Sequence, residues 1–234
     1  MLNKEKKEIV EVLLSDRLFL YSLMHKVFGR EPDAGFLDIL TSEAASEAFC
    51  LLSEEEDDVM ARCPRFLAQL REEAADPSFI DQVKNEYTRL FIGPARLVAP
   101  PWESVYRSKQ GLLFQESTLA VRRSYQRFHM LPKAYPNVAD DSAALELDFM
   151  SRLSQKALDA LRAGDLDRME QYLKGQESFL QSHLLIWIPK FLERMADSPS
   201  DILYPQMCLI LNEFLIKDQK LIGEVLAMLE TQES

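Results

Sequence analysis

Between residues 9 and 28 the apolar side chains Ile9, Val12, Leu13, Leu20, Leu23, Met24 and Val27 return at helical spacing, before Gly29 interrupts the pattern. The same spacing recurs at Ile80, Val83, Tyr87, Leu90 and Phe91. This periodicity confines the chain to helices that bury one face. The supply of turn-formers agrees, because only 7 of 234 residues are Gly, few for a protein built from tight turns and hairpins. The expected fold is all-α: a single-domain bundle of about ten helices over residues 1–234.

Helix starts are marked by Asp33, by Thr41-Ser42-Glu43 and by the acid run from Glu54 to Asp58, which opens a helix reaching about Ala74. Asp76-Pro77-Ser78 is expected to cap the next helix, with Pro77 at its first position, and Gly93-Pro94 to end it. Residues 93–106 hold Pro94, Pro100 and Pro101 around Trp102 and read as a stiff Pro-rich loop rather than a helix. Helical pattern resumes over residues 109–128, breaks across 129–137 and restarts at Asp140-Asp141-Ser142. Three more helices follow, over residues 142–163, 166–191 and 201–230. Gly175 is a candidate break in the second, and Pro189 is expected to kink or end it.

Twenty-seven basic and 38 acidic side chains leave a formal charge of −11, which disfavours binding to nucleic acid phosphates. Three scattered cysteines suggest neither a disulfide framework nor a zinc cluster. The charged start lacks a signal-peptide core, and no apolar run approaches the roughly 20 residues of a membrane span. A cytoplasmic protein is expected. No glycine-rich phosphate loop, G-x-S-x-G elbow, H-E-x-x-H or E-x-x-H pair occurs. No catalytic residue, metal or cofactor is therefore assigned. His183, beside Leu184, Leu185 and Trp187, reads as a hydrogen-bonded residue of the interior.

The informative stretch runs Glu86-Tyr87-Thr88-Arg89-Leu90-Phe91-Ile92-Gly93-Pro94 and then, after a gap, Pro100-Pro101-Trp102-Glu103-Ser104-Val105-Tyr106. It resembles the E-Y-x-x-L-F-x-G-P…P-P-W-E-S-V-Y signature of the TorD/DmsD/NarJ family of redox-enzyme maturation chaperones. Asp140 to Met150 is similar to that family's P-x-D-H-x-G-x-E-L-x-F-M stretch, and His183 to Phe191 to its H-L-L-x-W-x-P-x-F helix. Ala139, Ser142 and Ala144 stand where the family pattern has Pro, His and Gly.

The resemblance implies an all-helical chaperone domain that binds the twin-arginine leader peptide of a molybdenum-cofactor oxidoreductase subunit and assists its maturation before export. Such a leader needs carboxylates for its arginines and an apolar groove beside them. The candidate peptide-binding residues are Glu86, Leu90, Phe91, Pro101, Trp102, Glu103, Tyr106, Asp141, Ser142 and Glu146. Seven of them have a plainer alternative. Leu90 and Phe91 fit a core stripe, Glu86 a solvated helix face, and Trp102 with Tyr106 a hydrophobic plug. Asp141 fits a helix cap, and Glu146 is either paired inside the bundle or facing the groove. Two other functions stay open: binding or hydrolysis of a guanine nucleotide, and assembly through the mature part of a nitrate-reductase-type enzyme. So do two states, a monomer and a domain-swapped dimer.

Overall fold

The stripe that opens the sequence becomes α1 (Lys4–Gly29), whose first turn is capped by Asn3 accepting a hydrogen bond from the Lys6 amide at 2.8 Å. The protein is described by a computed structural model covering residues 3–54, 58–93, 96–108, 111–132 and 139–230. Two short helices follow, α2 (Ala34–Leu40) and α3 (Glu43–Cys50), capped as expected by Asp33 and Ser42. Asp58 caps α4 (Val59–Glu73); Glu55, Glu56 and Asp57 of the acid run lie outside the described residues.

Next comes α5 (Phe79–Tyr87), which continues into a π-helical turn, Thr88–Ile92. Pro77 precedes this helix rather than opening it, because the Asp76 carboxylate and carbonyl accept from the Ser78 and Phe79 amides and hold residues 76–78 as a turn. Pro94 lies outside the described residues. The Pro-rich segment differs from expectation at its end: directly after Pro101 and Trp102 comes a one-turn helix, α6 (Glu103–Arg107). The prolines forbid a helix only where they and their immediate predecessors stand. Conversely, residues 111–115, expected to be helical, are not; α7 begins at Glu116 and runs to Arg127, while Lys109 lies outside the described residues.

The second half holds α8 (Ala143–Ala163), α9 (Leu166–Phe179), a π-helical turn Leu180–Leu184, α10 (Leu185–Ala196) and α11 (Tyr204–Glu230). The break placed at Gly175 falls instead at the π turn. Gly175 is buried where the Phe128 ring lies against it, so its missing side chain serves packing. Pro189 does not end its helix; α10 continues to Ala196, with the wider π turn immediately upstream.

Among the described residues there are eleven α-helices and no strand. Helix α1 packs along α8, α8 on α9, and α10 on α11, around one contiguous apolar cluster. Arg17 of α1 is buried in that core. It donates to both carboxylate oxygens of Asp218 on α11 and to Gln176 on α9, and Gln176 in turn donates to Ser154 Oγ and the Met150 carbonyl of α8. Three helices therefore meet at one guanidinium, and Gln176 carries the network on to a fourth. The N-terminal part of the α1 stripe departs from expectation, because Ile9 and Val12 face outward, 50% and 56% exposed.

Candidate functional site

Two of the motif-bearing segments, far apart in sequence, are clamped together. The Glu103 amide donates to the Asp141 carbonyl at 2.9 Å and the Ala143 amide to the Pro101 carbonyl at 3.0 Å, so Trp102 and Ser142 face each other in an isolated antiparallel bridge. Ser142 caps its own helix, accepting from the Leu145 amide at 3.3 Å. Asp141 caps a different one. Its Oδ2 accepts from the Ser104 amide at 2.7 Å and supplies the first turn of α6 with an acceptor from 37 residues downstream.

Beneath this clamp the carboxylates are buried and engaged. Glu103 accepts from Arg107 at 2.6 Å and faces His183 Nδ1 at 3.0 Å, while His183 Nε2 lies 3.4 Å from the Ser124 hydroxyl. His183 is thus the interior, hydrogen-bonded residue the sequence indicates. Glu146 accepts from the Trp187 indole at 3.0 Å and is fully buried. Burial first, and then the neighbouring Glu103 carboxylate, push its carboxyl well above the usual range. Asp140 pairs with Arg122 at 2.6 Å.

The remaining candidates lie elsewhere in the fold. Glu86 is 1% exposed, and both its oxygens are engaged at the start of α11, accepting from Ser200 Oγ and from the amides of Ile202, Leu203 and Tyr204. A carboxylate at a helix N-terminus satisfies amides that the helix cannot. Leu90 and Phe91 are core, with Phe91 packed against Phe28, Tyr87 and Tyr204. Tyr106 stacks on Trp187 at 5.6 Å under the Arg194 guanidinium, and Pro101 is buried. Glu86, Leu90, Phe91, Pro101, Glu103, Tyr106, Asp141 and Glu146 therefore hold the scaffold. Trp102 and Ser142 alone among the ten reach the open space beside it.

That space is a groove of about 920 Å³ between the end of α1, the end of α7 and the first half of α8. Trp102 and Ser142 form one side, Leu145 and Phe149 the floor, and Phe114, Met130 and Leu131 the far rim. His25 reaches in from α1, with its Nδ1 2.8 Å from the Ala144 carbonyl, and Gly29 lets α1 approach Ala144 closely. Phe114 is 62% exposed, and its positive φ of 56° turns the Leu112-Leu113-Phe114 run outward. The accessible charges are Asp148 and Arg152, paired at 2.8 Å on the α8 surface. The helix expected over residues 109–128 hid the groove's far rim, and no motif singles out the Asp148–Arg152 pair. The cue was present as three consecutive large apolar residues beside Gly111.

The arrangement is a receptacle for an apolar segment, with one aromatic wall and one exchangeable ion pair at its edge. Among the described residues no cluster is arranged to hold a metal ion, and no helix is long and apolar enough to cross a membrane. Comparison with known proteins agrees with the sequence resemblance. The chain is 27% identical over 142 residues to a chaperone protein TorD of Aliivibrio fischeri, covering 61% of this chain and 65% of that protein. It is 26% identical over 189 residues to a probable Tat proofreading chaperone DmsD of Haemophilus influenzae, covering 80% and 82%. A TorD of Vibrio cholerae is 27% identical over 144 residues, covering 60% and 62%. The chain thus spans just under two thirds of the length of these TorD relatives. The family model described as nitrate reductase delta subunit matches residues 55–193, a stretch that contains the clamp and most of the groove, and the chain belongs to that family, which includes TorD, DmsD and NarJ.

Proposed function

We propose that the protein is a chaperone, not an enzyme, and that it binds the twin-arginine leader of a molybdenum-cofactor oxidoreductase subunit in the cytoplasm before export. The observation that carries this is the groove itself, an apolar trough walled by the residues at which two of the motif-bearing segments meet. The relatives named TorD and DmsD support it. A leader's apolar stretch would lie over Leu145 and Phe149. One leader guanidinium would stack on Trp102, and the other would displace Arg152 from Asp148. Exposed ion pairs of this kind contribute roughly 0–1 kcal/mol, so the exchange costs little. Glu103 and Asp141 act one layer below, holding Trp102 in place.

The chain has 2 tryptophans, and Trp187 is fully buried, so a peptide entering the groove should change the emission of Trp102 alone. Titration with a synthetic leader of such a precursor is expected to give a saturable shift. Trp102→Ala should weaken binding about tenfold or more, the loss typical of an aromatic anchor at an interface. Helix content should stay unchanged. Equal affinity for a leader with its Arg pair replaced by Gln, or a collapse of Tm in Trp102→Ala with affinity intact, would overturn the proposal.

A further inference from the structure

The outward-facing end of the α1 stripe borders a second groove. Helices α1 and α3 meet, and the residues they turn to the gap are regular: 12, 16 and 19 on α1, and 44 and 48 on α3, with Leu51 at the C-cap just past its end. The gap is about 570 Å³, and its walls are Val12, Phe19, Ala44, Ala48 and Leu51. Val12 and Leu51 are 56% and 58% exposed, large values for apolar side chains that line a concavity. The charged residues lining the gap are Glu8, Glu11, Asp16 and Glu47, four acids without a base among them.

Two of these acids are answered from outside the gap, Glu8 by Lys4 and Glu11 by Arg162 of α8. No hydrogen bond or ion pair joins the Asp16 or Glu47 side chain to any described residue. Asp16 is half-buried, and burial alone pushes its carboxyl up to about 7. Its neighbour Arg17 turns the opposite way, into the core, to Asp218. A partly desolvated carboxylate without a cation is a cost that a cationic partner removes.

We propose that the α1/α3 groove docks a basic amphipathic helix of a second protein, with its apolar face on Val12 and Leu51 and a Lys or Arg seated on Asp16. Charge complementarity selects this occupant: apolar walls and a uniformly acidic lining match a helix whose apolar stripe is flanked by bases. The groove is independent of the one beside Trp102. Val12 and His25 are 13 residues apart on one helix, about 20 Å at 1.5 Å per residue, so both grooves can be filled at once.

The test uses the full chain and a fluorescein-labelled 18-residue Leu/Lys peptide with its leucines on one helical face, compared by anisotropy with a scrambled peptide of identical composition. The ordered peptide is expected to bind at least about tenfold more tightly than the scrambled one, and Val12→Glu and Leu51→Glu should each abolish that difference. Both positions are exposed, so folding should survive. Affinity should rise between pH 6 and pH 8, as Asp16 ionises among Glu8, Glu11, Glu47 and Arg162, and Asp16→Asn should flatten that rise. Trp102→Ala should change nothing. Equal affinity of the two peptides, unchanged binding in Val12→Glu, or loss of binding in Trp102→Ala would overturn the proposal. So would self-association of the chain that Val12→Glu abolishes, since the groove would then hold a second copy.

Discussion

A buried carboxyl held above its ordinary range makes the protein less stable as pH rises. Glu146 is such a group: the folded state keeps its proton, and the unfolded chain releases it above about 4.5. Between that pH and the raised folded value the native state binds more protons than the unfolded one, so its stability falls with increasing pH. Glu146→Gln keeps an acceptor for the Trp187 indole and removes the titration. Its Tm is expected to exceed the parent's at pH 8, with the advantage vanishing near pH 4, where Glu146 is protonated in both states. Thermal melts of the two proteins across that range check the sign, and a variant less stable at pH 8 than at pH 4 relative to the parent would refute it. Asp141 shows the complementary case. Its residue type announced a cap, and it is one, but for α6 rather than for the helix it precedes.

The chain just past the end of α7 packs on α9 at a glycine inside that helix. A Cβ at Gly175 would overlap the Phe128 ring, which also packs on Phe149 and Tyr172. Gly175→Ala gains helix propensity of about 1 kcal/mol, but overpacking a filled site costs about 1–3 kcal/mol. The expected balance is destabilisation, with a lowered urea midpoint. Phe128→Leu in the same chain should restore most of it. If Gly175→Ala alone raised the midpoint, the ring would be free to move. Because Phe149 also floors the groove, the single variant should weaken leader binding as well.

Across the molecule, the Arg17 guanidinium joins α1, α11 and α9, and through Gln176 also α8. Asp218→Ala leaves a buried cation without its partner, and removing one member of such a pair costs about 3–5 kcal/mol. Denaturant unfolding followed by circular dichroism is expected to show that loss in a single transition. A loss below about 1 kcal/mol would mean that water replaces the carboxylate. Arg17→Met with Asp218→Leu should recover much of the stability, since apolar replacement of a buried pair is often neutral or better.

The helical nature of the chain, most of its caps and its family were legible in the residues, because periodicity, capping and motif spacing are local properties. Asp33, Ser42 and Asp58 each act within three residues of where they stand. What the tertiary structure alone decided is which groups meet water. Glu86 and Glu103 are the same residue type as the exposed Glu47, and an exposed carboxylate, a distant helix cap and a buried ion-pair partner are indistinguishable until other elements arrive. For Glu86 the arriving segment begins with Ser200, 114 residues away, and for Glu103 it brings His183 from 80 residues away. The groove beside Trp102 and the groove between α1 and α3 were hidden for the same reason. Each is a space between elements, set by how closely helices approach, and no single stretch of sequence contains it.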